Sequence, residues 1–134
     1  MGGPLRLLLD THTVLWAMRA PSHIPAAALR EIQAPLNEIY VSAVTPFELA
    51  TKHRVGKLPG VEALLLTFDD QLRHLNARTL PISSNHALLA GGLAWEHRDP
   101  FDRLLAAQSV IEQMPLVTSD SAFFAVGGLT VLWD

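Results

Sequence analysis

Short apolar runs in this 134-residue chain stop at, or just before, a carboxylate. Asp10 closes the run Leu5 to Leu9, Glu48 stands in VTPFELA, Asp102 in HRDPFDRLLAAQ, and Asp120 follows PLVTS. Between these runs lie stretches with helical spacing and helix punctuation. Strands this short and this continuously apolar, alternating with helices of ten or more residues, leave few architectures open. The pattern implies an α/β fold, with a central parallel sheet of four to five short strands and helices on both faces. In such sheets functional groups collect beyond the carboxyl ends of the strands.

The punctuation predicts each element. Leu5 to Leu9 reads as a buried strand, and a helix starts at Thr11 and runs to about Met18. Ala20-Pro21-Ser22 breaks it, and Pro25 restarts a helix through Ile32. Ile39-Tyr40-Val41 is a strand. Thr45 is the expected N-cap of a helix from Pro46 to Arg54, ended by Gly56. A further helix is expected from Val61 to Leu75, a short strand at Thr79-Leu80, and a helix capped by Ser84 that runs to about Leu93. Pro100 opens the next helix, Phe101 to about Gln113, and Pro115 stops it. Leu116 to Thr118 is a strand, Asp120 to Phe124 a short helix, and Thr130 to Trp133 a last strand. No repeat, linker or low-complexity tract divides the chain, so residues 1–134 are expected to form one domain.

Composition narrows the function classes. Hydrophobic residues make up 49% and charged residues 17%, so part of the surface is expected to be covered by a partner. No apolar run reaches membrane-span length, and the N-terminus lacks the layout of a signal peptide. With no cysteine there is neither a disulfide nor a thiolate metal site, which fits a cytoplasmic protein. A formal net charge of −3 argues against a general nucleic-acid binder. Lys52, Arg54, Lys57, Arg98 and Arg103, however, lie close in sequence to the acidic motifs. An acidic cleft holding a cation behind a basic rim could still hold a polyanion.

Taken singly, each carboxylate has an ordinary reading. Asp10 and Asp120 are good helix N-caps, and Glu48 could be a first-turn glutamate that complements the helix dipole. Around Pro100, Asp99 is the natural cap, which leaves Asp102 facing inward among Phe101, Leu104 and Leu105, with Arg98 or Arg103 as a potential ion-pair partner. Taken together the ordinary readings weaken, because carboxylates gathered at one sheet edge repel one another unless a cation joins them. An all-oxygen donor set favours Mg²⁺ or Mn²⁺. Thr118 and Ser119 offer hydroxyls to a carboxylate or a water. His12 and His97 stand beside acidic motifs, yet no clustered His or Cys suggests zinc. Gly91-Gly92 and Gly127-Gly128 match no phosphate-binding fingerprint and read as helix ends and turns.

The segments LLLDTHTVLW, VSAVTPFELATKHRVGKL, LPISSNHALLAGGL, HRDPFDRLLAAQS and LVTSDSAF, in this order, resemble the PIN-domain ribonucleases. They are most similar to the VapC-type toxins of toxin–antitoxin pairs. The resemblance implies a PIN-like fold and an Mg²⁺- or Mn²⁺-dependent endoribonuclease that cleaves RNA with activated water. It places the metal-binding and catalytic carboxylates on Asp10, Glu48, Asp102 and Asp120, with Asp99 as an extra acid of DPFD members. It implies a small antitoxin that lays an apolar segment over the active-site cleft, and a homodimer. The chain departs from the family pattern at Ala43 to Phe47 and at Ala94-Trp95-Glu96, where a proline is often found. Neither departure removes a carboxylate.

Two rival readings keep the metal site or discard it: a metal-dependent nuclease acting on DNA or structured substrates, and a non-catalytic PIN-like module that binds RNA or protein. A phosphoacceptor fold would need an acidic pair after the first strand and a lysine near the last, and neither is present.

Overall fold

Leu7, Leu8 and Leu9 have no solvent exposure at all, and this places the first strand at the centre of the sheet. In the computed structural model, which describes residues 3–134, that strand is β1 (Arg6–Leu9). It is flanked by β2 (Glu38–Ser42) and β4 (Leu116–Val117), with β3 (Ala77–Leu80) outside β2 and β5 (Val131–Leu132) outside β4. Every pairing is parallel; Leu8 stands opposite Tyr40 on one side and Leu116 on the other. Five parallel strands meet the expected count, although β4 and β5 are each only two residues long.

Alternation along a strand sends neighbouring side chains to opposite faces. Leu7 and Leu9 therefore pack with Val14 of α1 (Thr11–Arg19), Ala28 and Ile32 of α2 (Ala26–Gln33), and Leu72 of a later helix, Phe68–His74. Leu8 packs the other way, with Val44 of α3 (Val44–Arg54), Leu105 and Ala106 of the long helix Pro100–Glu112, and Phe123. Two apolar cores, one on each side of the sheet, account for a strand that is hydrophobic at consecutive positions. Helices thus cover both faces, as the sequence implies.

Strand ends shift by one or two residues from expectation, and three differences at helices have a local reason. The predicted helix Val61 to Leu75 is two helices, α4 (Glu62–Leu66) and α5 (Phe68–His74). They part at Thr67, whose hydroxyl donates back to the Ala63 carbonyl at 2.7 Å, a bond that competes with the helical ladder. Helix α3 begins at Val44, two residues before Pro46, because the Ser42 hydroxyl accepts from the Val44 amide at 3.0 Å. Thr45 is therefore not a cap; it is buried within the first turn. Helix α6 (Ser84–Gly92) is capped by Ser83, not Ser84: the Ser83 hydroxyl accepts from the His86 amide while the His86 ring accepts from the Ser83 amide. Helix α7 (Pro100–Glu112) then ends at Gln113, which takes a left-handed conformation.

No helix among the described residues is long and apolar enough to cross a membrane. Because all strands run the same way, the residues after β1, β2 and β4 emerge at one edge of the sheet, and the heads of α1 and α3 open there.

Candidate metal centre

Asp10 leaves β1 at that edge and is only 6% exposed. One carboxylate oxygen accepts from the Thr13 amide at 2.8 Å and so caps α1; the other accepts from the Thr118 hydroxyl at 2.5 Å. Asp10 is thus the helix N-cap that the sequence implies, with its second oxygen turned to Thr118. Burial pushes its pKa up, against the pull of the Thr118 and Thr13 hydrogen bonds.

Glu48 is 3% exposed. With α3 starting at Val44 it falls beyond the first turn, so the expected helix-dipole role does not apply. Its Oε1 accepts from the Thr11 hydroxyl at 2.6 Å, and its Oε2 is 2.5 Å from the Lys52 ammonium one turn later. Thr45 lies 3.4 Å from Thr11, extending a buried hydroxyl chain toward the glutamate. Burial works against the Lys52 charge, but Glu48, Asp99 and Asp102 outweigh it and hold its pKa above the usual value.

The two acids around Pro100 divide their work as the sequence implies. Asp99 caps α7 through the Phe101 and Asp102 amides. Asp102, half-buried in the first turn, points its carboxylate at His97, 2.7 Å away. Its pKa is raised to about 6, chiefly by burial and further by the charges of Asp99 and Glu48, with the His97 bond opposing the rise. Its partner is thus His97 rather than Arg98 or Arg103. Arg103 instead donates to four backbone carbonyls, those of Ala90, Leu93, Trp95 and His97. Asp120 is exposed and caps the short 3-10 helix Ser121–Ala125 through the Ala122 amide. Its own amide donates to Thr118, so one hydroxyl joins Asp10 to Asp120.

Asp10, Glu48, Asp99, Asp102 and Asp120 line one hollow of about 160 Å³, together with Thr11, His12 and Lys52. The structure thus brings together all five acids singled out from sequence. Glu112 is not among them: it pairs with buried His86 on the far side of α7. His53 faces Glu62. Lys52, expected among the basic rim residues, lines the hollow itself, since a glutamate four residues before a lysine places both on one helix face. Thr11 was not singled out, because its hydroxyl meets Glu48 only through the tertiary fold.

The donor set suits a hard divalent cation. It consists almost wholly of carboxylate oxygens; burial raises the pKa of Asp10 and Asp102, and the neighbouring charges of Asp99 and Glu48 raise that of Asp102 further. Ligand atoms of His97, Asp99 and Asp102 lie within 4.8 Å of one another. The one ammonium present, Lys52, already sits against Glu48.

Residues 7–129 match the family model described as the PIN domain. No curated protein matches the chain in sequence. Among solved structures the chain is similar to one in VapBC2 from Rickettsia felis bound to a DNA fragment from their promoter. That match has 23% identity, a TM-score of 0.71, and covers 97% of this chain and 100% of that one. A chain of DNA-bound VapBC from Salmonella typhimurium matches with 18% identity and a TM-score of 0.72, over 96% and 97% of the two chains. VapBC-5 of Mycobacterium tuberculosis matches with 20% identity and a TM-score of 0.59, over 95% and 94%.

Proposed function

The chain belongs to the PIN-domain family, and from that premise we propose that it is a Mg²⁺- or Mn²⁺-dependent endoribonuclease, the VapC-type toxin of a toxin–antitoxin pair. The observation that carries this reading is the convergence of five carboxylates from four separate segments on one hollow. Asp10, Glu48, Asp102 and Asp120 hold the cation, with Asp99 as a further ligand. A divalent ion bound there would supply Lewis acidity toward a water and the scissile phosphate.

The chain's own residues do the remaining work. Thr13 and Thr118 fix both oxygens of Asp10, and Thr11 and Lys52 fix both oxygens of Glu48. These contacts hold the acids in place before any ligand arrives. Lys52 supplies a cation at the rim, where a phosphate would approach. Water is the nucleophile under this reading; the Thr11 hydroxyl in the hollow is spent on orienting Glu48.

The partner is a small antitoxin whose apolar segment covers the cleft. Exposed Phe47 stacks edge-on against Phe101, with ring centres 5.3 Å apart, beside Glu48 and Asp102 in sequence. Such a segment would lay its side chains on this pair. Several of the solved neighbours are toxin–antitoxin complexes. The chain acts as one domain, as a homodimer and in the cytoplasm under this reading. Incubation of the purified protein and its Asp10→Asn variant with single-stranded RNA and DNA, with Mn²⁺ or with EDTA, tests it. Metal-dependent cleavage of RNA alone, lost in the variant, is the expected result. Equal cleavage of DNA would favour the wider nuclease reading, and undiminished cleavage by Asp10→Asn would remove the site assignment.

A further inference from the structure

His12 lines the acidic hollow and also meets an aromatic cluster outside it. One turn further along α1 stands Trp16, with its ring centre 5.8 Å from the His12 ring. Trp16 in turn lies 5.8 Å from His23 and 5.7 Å from Trp133. Residues 12, 16 and 19 are spaced by four and three, so His12, Trp16 and Arg19 share one face of α1. His12, Arg19 and His23 are exposed, while Trp16 and Trp133 are half-buried against the core. Leu15, Trp16, Arg19, Ala20 and His23 line a second hollow of about 310 Å³, near the lower size of ligand sites.

The sheet fixes where this strip lies. The Asp10 amide donates to the Val117 carbonyl, and the Thr118 amide to the Leu132 carbonyl. Asp10, Thr118 and Trp133 therefore follow one another across the same sheet edge, from β1 through β4 to β5. The strip leaves the carboxylates on the β5 side, opposite the side occupied by Glu48 and Lys52. A half-buried indole costs less to hide than to display, yet this one has an arginine and two imidazoles set around it. Aromatic faces grouped with an arginine, beside a phosphate-handling site, are the makeup of a single-strand path, where bases stack and the backbone meets a cation.

We propose that the His12–Trp16–Arg19–His23 strip, backed by Trp133, is a nucleobase subsite that receives an unpaired nucleotide of the substrate strand next to the bond being cut. This rests on the endoribonuclease reading and adds a direction to it: the strand leaves the carboxylates over α1 toward β5. Stacking on Trp16 supplies affinity with little choice among bases, and Arg19 meets the adjoining phosphate.

The test uses two variants, Trp16→Leu, which keeps apolar contact with the core, and Arg19→Ala, an exposed position. Binding of a fluorescein-labelled single-stranded 12-mer RNA is measured by anisotropy in EDTA, so that it does not depend on cleavage, and steady-state cleavage is measured with Mn²⁺. Each variant is expected to weaken binding, Trp16→Leu by about tenfold or more, and the loss in kcat/KM is expected to fall on KM. A 12-mer with a single abasic site that lowers wild-type affinity but leaves that of Trp16→Leu unaltered would locate the stacked base. Unchanged affinity and KM in both variants while the wild type cleaves would overturn the subsite and leave the nuclease reading standing. RNA binding that depends on Trp16 in a protein that never cleaves would support the subsite and overturn the nuclease reading. Unchanged RNA affinity with a shift in oligomeric state on size exclusion would mean that the strip contacts protein, which also overturns the proposal.

Discussion

The two halves of the acidic hollow are built differently. On the Asp10 and Glu48 side both carboxylates are buried, and all four oxygens have partners within the chain: an amide, two threonine hydroxyls and an ammonium. On the Asp99, Asp102 and Asp120 side the carboxylates are more open. Two of them spend an oxygen capping a helix, and the third meets a histidine. The first half resembles a mould set in advance, because its acids cannot turn without leaving buried polar groups unpaired. The second half can adjust to what enters. A site with one rigid wall and one adjustable wall fixes a ligand's position from the first and completes its coordination from the second.

The largest expected effect tests the rigid wall. Asp10→Asn should lower RNA cleavage by about a thousandfold, near 4 kcal/mol in the barrier, while Asp120→Asn, on the open wall, should cost nearer tenfold. Single-turnover rates with Mn²⁺ measure both, and equal losses would erase the distinction between the walls. Next comes Thr118→Val, which removes the hydroxyl shared by Asp10 and Asp120. It should weaken Mn²⁺ binding by about 10- to 100-fold, as losses of outer-shell partners do, and calorimetric titration would show this.

The pH response probes the open wall. The Asp102 pKa is raised to about 6 in the fold from 3.8. The folded protein therefore holds that proton more tightly than the unfolded chain does. The resulting stability is complete below about pH 3.8 and is lost as pH climbs through 6. Metal-free protein should thus melt higher at pH 5 than at pH 7.5 in the share set by this residue. Asp102→Asn should flatten that part of the slope, and saturating Mn²⁺ should oppose it. Thermal melts at several pH values, with and without metal, measure this. The smallest effect is expected from Lys52→Met. It removes the counter-charge of buried Glu48, so metal-free protein should melt a few degrees lower and gain more from Mn²⁺ than the wild type gains. An unchanged metal response would show that the ammonium does not stand in for the cation.

Much of this arrangement was legible in the sequence because single residues dictate it. Pro100 suits the start of a helix, so Asp99 had to be the cap and Asp102 had to fall in the first turn. Continuous leucines had to be covered on both faces, so the sheet had to be central. Other features depend on contacts that no local pattern records. The break between α4 and α5 comes from a threonine hydroxyl turning back on its own helix, and threonines inside helices are common. The earlier start of α3 depends on Ser42, a strand residue. That shift carries Glu48 out of the first turn, which changes the reason for its placement from helix dipole to tertiary hydrogen bonds. The pairing of Asp102 with His97 rather than an arginine follows from Arg103 being engaged elsewhere.

That engagement of Arg103 also bears on how freely the chain can change. Each of the four groups it grips between Ala90 and His97 is a peptide oxygen, which every amino acid carries. The path of the segment leading to Asp99 is thereby decoupled from the identity of many of its side chains. Substitutions at Ala94 and Glu96 can accumulate with little displacement of the cap, whereas Arg103→Lys, which cannot reach several carbonyls from one fixed plane, would release them together. The loop's wording is free to drift while its shape is held by a single residue outside it.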